Sequence, residues 1–149
     1  MRGGLARIAA ASVLAVTLLA TAATTAPAAS ASLRRDKMLS WVNHARVEHG
    51  AHKLKMDVDV VKVAHDHNVD MAKKDELFHS TNLGYKLRSV SWTTWGENVG
   101  VGVDAYSLFK AYMASPDHRA NILSKNFDHV GINFVVRDGI MWSTLIFYG

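Results

Sequence analysis

The chain of 149 residues has no cysteine and only two prolines. Without cysteine there can be no disulfide, no thiolate nucleophile and no iron–sulfur cluster, so an exported form of this chain must be held together by its core alone. Abundant Leu, Ile, Val, Phe and Trp make that feasible. A long apolar run is also missing: after the first 23 residues nothing approaches the ~20 apolar positions that a membrane-spanning helix needs. Charge of one sign is scarce too, with 17 basic against 13 acidic side chains scattered along the chain. That gives no reason to expect nucleic acid as a partner.

The first segment reads as an address. MRGGLAR carries two arginines and no acid, Ile8 to Ala23 is almost wholly apolar, and Ala29-Ser30-Ala31 fits a small-residue cleavage site. Residues 1–31 are therefore expected to be a secretory signal peptide and residues 32–149 a single domain that is secreted, with no transmembrane segment once the signal is gone. Of the 149 residues, removing 31 leaves 118, an ordinary size for one domain. Arg2 and Arg7 leave with the leader, so the 17 basic side chains become 15 against 13 acids.

Along the rest of the chain, Leu33, Met38, Trp41, Val42 and Ala45 recur at helical spacing up to a stop at Gly50. Asp57 is a cap for a second helix to about Lys74, with Val58, Val61, Ala64, Asn68, Met71 and Ala72 on one stripe. Residues His79 to Thr94 keep no period and read as a long connection, of a kind that is often functional. A short strand is expected near Asn98 to Val101, with Gly96 at a turn. Asp104 caps a further helix through Ala105, Leu108, Phe109, Tyr112 and Met113, which Pro116 ends. The tail HVGINFVVRDGIMWSTLIFYG is two alternating apolar runs around Asp138-Gly139, a hairpin reaching into the body of the sheet. Helices first, sheet pairing last and no βαβ rhythm indicate the α+β class.

Eight histidines raise the question of metal. His65 and His67 point in different directions on one helix, His44, His49 and His52 surround the end of another, and His129 precedes a strand, so all six are expected in solvent or in unremarkable settings. His79 and His118 differ, because each stands at an element boundary, with Glu97 between them. His118 follows Ser115-Pro116, where Ser115 supplies the cap oxygen and Pro116 the first helical position. Free backbone donors in that turn disfavour a positive imidazole, and a neutral imidazole is a ligand. Two imidazoles and a carboxylate form a first shell for zinc, with water in the fourth place made acidic enough to attack near neutral pH. The separations of 18 and 21 residues cannot by themselves bring the three together.

These residues carry a resemblance. The stretch MLSWVNHARVEHG with Asn43 and Arg46, then FHS at Phe78 to Ser80, WGENVGVG at Trp95 to Gly102, SPDHRANIL at Ser115 to Leu123, HVGINF and a final aromatic strand resemble, in order and spacing, the CAP superfamily of cysteine-rich secretory, antigen 5 and pathogenesis-related (SCP-domain) proteins, in its bacterial cysteine-free branch. The resemblance implies an α-β-α sandwich with a central antiparallel sheet, and a cleft with two histidines and two acids that in some members holds zinc or another divalent cation. Position by position it implies His79, Glu97 and His118 as metal ligands. The second acid falls at Ser115, which has no carboxylate; Asp117 is the nearest substitute, and a site so reduced binds metal weakly. Asn43, Arg46, Arg119 and Asn121 are assigned to anchoring loops and the short helix, and Trp92 and Trp95 to plugging a loop over the core or stacking on a ring at the cleft rim.

The expected function is a secreted binding or interaction module whose His/Glu cleft takes a divalent cation and a small-molecule, peptide, glycan or lipid ligand. One alternative is a metal-assisted hydrolase of peptide or cell-wall substrate, although Glu97 cannot be both ligand and base. Another is a lipid- or sterol-binding protein using the Val90 to Trp95 loop and the helix face at Leu108 and Tyr112. A serine mechanism from Ser80 beside His79 rests only on adjacency.

Overall fold

The computed structural model describes residues 25–149. Residues 1–24 of the expected signal peptide lie outside them; the described part begins with helix α1, Thr25–Glu48, which runs unbroken past Ala31. There follow β1 (Lys55–Met56), α2 (Val58–Lys74), the short α3 (Leu83–Lys86), β2 (Trp95–Gly102), α4 (Ala105–Ala114), α5 (Pro116–Leu123), β3 (His129–Arg137) and β4 (Ile140–Tyr148). No helix among these residues is long and apolar enough to cross a membrane.

The caps read from sequence are present. Asp57 accepts from the N–H groups of Asp59 and Val60, and Asp104 from that of Ser107. Asp138 and Gly139 both take positive φ, 53° and 76°, as a two-residue hairpin turn matched to strand twist requires. The hairpin places β4 inside the sheet, whose order is β1-β3-β4-β2. Alternate β4 residues then serve two cores. Met141, Leu145 and Phe147 pack with Met38 and Val42 of α1, Leu108 and Tyr112 of α4 and Ile122 of α5. Trp142 packs with Met71 and Ala72 of α2, and Ile146 and Tyr148 with Val60 and Ala64. Burial on both faces replaces the alternation expected of β4 with an unbroken buried run from Met141 to Tyr148.

The α-β-α sandwich is thus realised, with three differences in detail. The sheet is mixed, because β1 runs parallel to β3 while the other pairings are antiparallel. Strand β2 is eight residues long, and Gly96 lies within it instead of at a turn. A side chain there would sit 2.7 Å from Oδ1 of Asn121, so the glycine is required by the close approach of α5. The apolar face at Leu108 and Tyr112 is core, 4% and 2% exposed, and leaves no room for a lipid.

The layers are tied together by Arg46. Its side chain is fully buried and donates from Nε to the carbonyl of His52 (2.7 Å), from Nη1 to those of Ile122 (2.9 Å) and Ser124 (2.7 Å), and from Nη2 to that of Phe127 (2.9 Å). Asn43, one turn earlier, exchanges two hydrogen bonds with the backbone of Leu54. Both residues therefore anchor loops, as the sequence indicates. Arg46→Met strands four carbonyls without a donor and is expected to lower the unfolding free energy by about 3 kcal/mol or more in urea denaturation. Arg46→Lys recovers little, since an ammonium cannot span the same fork. A loss below about 1 kcal/mol for the Met variant would contradict this account.

Candidate functional site

His79 is presented by the loop that leaves α2. The helix ends at Asp75, whose left-handed conformation turns the chain and whose N–H donates to the Met71 carbonyl. The loop is then held by His67, whose Nε2 donates to the carbonyl of Phe78 at 2.8 Å, with the Phe78 ring edge-on to the imidazole. His67 is 2% exposed, which corrects its expected place in solvent. Val60, Ala64, His67 and Met71 fall at i, i+4, i+7 and i+11, so the helical stripe itself carried the signal, and the polarity of histidine obscured it.

Glu97 comes from β2 with only 4% of its side chain exposed. Its Oε1 accepts from the N–H of Ser80 at 2.8 Å and pairs with Nδ1 of His79 at 2.8 Å. A proton on Nδ1 leaves the lone pair of the neutral ring on Nε2, so the carboxylate sets the tautomer of His79. The other carboxylate oxygen, Oε2, and the Ser80 hydroxyl are buried without a hydrogen-bond partner. Ser80 thus contributes its backbone, not its hydroxyl, and no Ser80–His79 hydrogen bond exists from which a nucleophile could be made.

His118 stands in the opening turn of α5 behind Pro116, as read from sequence, but Ser115 makes no side-chain capping bond. The turn is fixed instead by Asn98, which donates to the His118 carbonyl at 3.0 Å, and by Asn121, which donates to the Glu97 carbonyl (3.2 Å) and to Oδ1 of Asn98 (2.9 Å). Arg119 bonds Nε2 of His49 at 2.9 Å and ties α5 to the end of α1. The His118 ring lies edge-on to Tyr112, centroids 5.2 Å apart. Burial lowers the pKa of His118 below the ordinary 6.5, the charge of His79 lowers it further, and Asp117 opposes both. The neutral imidazole expected from the helix terminus is supported here by burial and by its fellow histidine. Burial, and then the charge of Glu97, raise the Tyr112 hydroxyl well above its usual value, which brings Tyr112 into the same electrostatic neighbourhood.

Of the four residues named for metal, the structure puts His79 and Glu97 in contact and His118 within reach of the charge on His79; Asp117 is exposed on the first turn of α5. Among the described residues no three His, Asp or Glu side chains are gathered closely enough to hold an ion. Oε1 of Glu97 already serves His79 and Ser80, so the donors fit a pair of imidazoles oriented by a carboxylate better than a closed set of three ligands.

Residues 39–144 match the model of the cysteine-rich secretory protein family, CAP. Over 127 residues the chain is 32% identical to YkwD of Bacillus subtilis, covering 80% of this chain and 49% of that protein, so it spans about half the relative's length. An extracellular protein of Bacillus anthracis containing an SCP domain has the same fold at a TM-score of 0.71 and 24% identity, over 79% of this chain and 41% of that one. A cysteine-rich secretory protein of Staphylococcus aureus gives 0.66 and 26%, over 79% and 38%. An outer surface protein of Borrelia burgdorferi gives 0.71 at 16%, over 77% and 91%.

Burial and a like charge lower the point at which His118 titrates. In an NMR pH titration His118 is expected to protonate below about 6.5, and His79→Ala to move it back up by removing a like charge. Because its folded pKa is lowered, the stability His118 contributes is complete above about 6.5 and is lost as pH falls through the lowered value. His118→Ala is accordingly expected to flatten the fall in Tm between pH 7 and 5; an unchanged slope would contradict it.

Proposed function

The chain belongs to the CAP family, and from that premise we propose that it is an extracellular recognition module that binds its ligand in the cleft between His79, Glu97 and His118. Secretion of the domain after removal of residues 1–31 is part of the same proposal; extracellular and outer-surface proteins among its structural relatives and the lack of a membrane-spanning helix in the described residues support it.

One observation carries the reading: the buried carboxylate of Glu97 is committed to positioning His79 and the Ser80 backbone. A hydrolase needs a base besides its ligands, and the place where a second acid would stand is Ser115, whose side chain is neutral. What the three residues offer instead is two imidazoles, one of them oriented by a buried carboxylate, which are means of holding a ligand.

A divalent cation, zinc or another, would be held by His79 and His118, with Glu97 orienting the former and Asp117 adding charge from the rim. Such an ion would polarise a ligand oxygen. With Glu97 engaged by His79 and Ser80, and no gathered set of three His, Asp or Glu side chains among the described residues, the ion is weakly bound.

Titration calorimetry with Zn2+ at pH 7.5 is expected to give weak heats that disappear in His118→Ala and weaken as the pH is lowered, since protons compete with the metal for imidazole. Equal heats for the two proteins would remove the cation from the cleft. Release of product from a peptide or cell-wall substrate that stops with chelator would replace the recognition reading by the hydrolase.

A further inference from the structure

Two of the four tryptophans are not where the hydrophobic effect alone would leave them. Trp142 is 4% exposed, whereas Trp92 and Trp95 remain 38% and 43% exposed. They are only partly withdrawn from water, and a partly exposed indole offers a large, rigid contact area to a ligand.

Their setting is rigid. Both rings stand on α3 at Gly84: a Cβ added there would lie 3.1 Å from the Trp92 ring and 3.5 Å from the Trp95 indole nitrogen, so the glycine lets the two indoles settle side by side. The two residues between them are fastened to the end of β4. The N–H groups of Thr93 and Thr94 and the hydroxyl of Thr93 donate to the Gly149 carbonyl at 2.7, 3.1 and 2.9 Å, and the Gly149 N–H returns a bond to Thr94 at 3.2 Å. Side chains held this way lose little freedom when they bind, the condition under which exposed aromatics contribute most to affinity.

The surroundings select the ligand. From Leu77 to Gly96 the sequence has no acidic residue, the exposed residues flanking Trp92 are the neutral Ser91 and Thr93, and Lys86 and Arg88 provide positive charge. Arg88 itself lies 4.3 Å over the ring of Tyr85, which is 68% exposed. A flat indole face beside neutral hydroxyls suits a pyranose ring, which presents axial C–H groups to the aromatic surface and hydroxyls around its edge. A membrane surface would require exposed aliphatic neighbours at the tip, whereas Val90 packs against the core cluster of Leu83 and Leu87 and the exposed neighbours of Trp92 are Ser91 and Thr93. Position also matters. Trp95 and Glu97 are two apart in β2 and therefore share a face of the sheet, so Trp95 stands on the face from which Glu97 reaches His79.

We propose that Trp92 and Trp95 form a stacking platform for a glycan strand of pyranose rings, laid along the rim toward the His79–Glu97–His118 cleft. The platform extends the recognition reading, on which it rests for the direction in which the strand runs.

The test uses the protein from residue 32 onward and the full chain in parallel, with β-1,4-linked N-acetylglucosamine hexamers, insoluble chitin and glycan strands freed from bacterial peptidoglycan as probes, and phosphatidylglycerol vesicles as the competing surface. Binding to at least one glycan is expected, with a change in tryptophan emission, a loss of affinity of about tenfold or more in Trp92→Ala and Trp95→Ala, and retention in Trp95→Tyr. Trp92 lies outside the sheet, so its variant reports even where replacement of Trp95 disturbs β2. His118→Ala separates the two readings: glycan affinity kept in that variant while its zinc heat is unchanged would leave the platform and end the cleft. No binding to any glycan, binding indifferent to both tryptophan variants, or binding to vesicles alone would overturn the proposal.

Discussion

A single buried cation organises the end of the molecule where the candidate site stands. Arg46 is withdrawn from water and bound to four carbonyl oxygens contributed by the loop after α1, the last turn and exit of α5, and the approach to β3. Burial lowers its pKa and the charge of Asp128 opposes that, yet a guanidinium in a fork of carbonyls stays protonated. Taking such a group out of water is costly unless all its donors are met. The fold gives it four main-chain acceptors, two of them, Ile122 and Ser124, at the end of α5 where carbonyls would otherwise be orphaned, so two deficits cancel there.

From that fixed point the site follows by short links. With the exit of α5 held, Asn121 and Asn98 lock its first turn to β2, which sets His118 and the strand that carries Glu97. Glu97 then takes the Ser80 N–H and the His79 ring, while His67 holds the preceding carbonyl from the opposite side. Every link ends on a backbone group or a buried side chain. The exposed imidazole of His79 is accordingly the last member of a chain of buried contacts rather than a loose loop residue.

Local signals carried most of the fold into the sequence. The caps at Asp57 and Asp104 and the Asp138-Gly139 turn each depend on neighbours a few residues away, and each has its counterpart in the structure; the stripe of α2 holds from Ala64 to Ala72, while at its start Val60 is the buried residue and Val58 is 78% exposed. What stayed hidden was non-local or erased by packing. Strand β1 is two residues long and exists only through its pairing with β3. Strand β2 lost its apolar alternation because α4 and α5 come so close that Gly96, Gly100 and Gly102 occupy one of its faces. The partners of Arg46 are carbonyls, which no residue type announces. As for the site, spacing alone could not unite positions 18 and 21 residues apart; the family resemblance named them, and coordinates were needed to show that Glu97 grips His79 while Asp117 stays outside.

The sandwich architecture has a mechanical corollary. One imidazole hangs from the loop behind α2, on one side of the sheet, and the other from α5, on the opposite side, and they approach each other past the margin of β2. The gap between the rings is therefore a gauge of how the two helical layers are seated on the sheet.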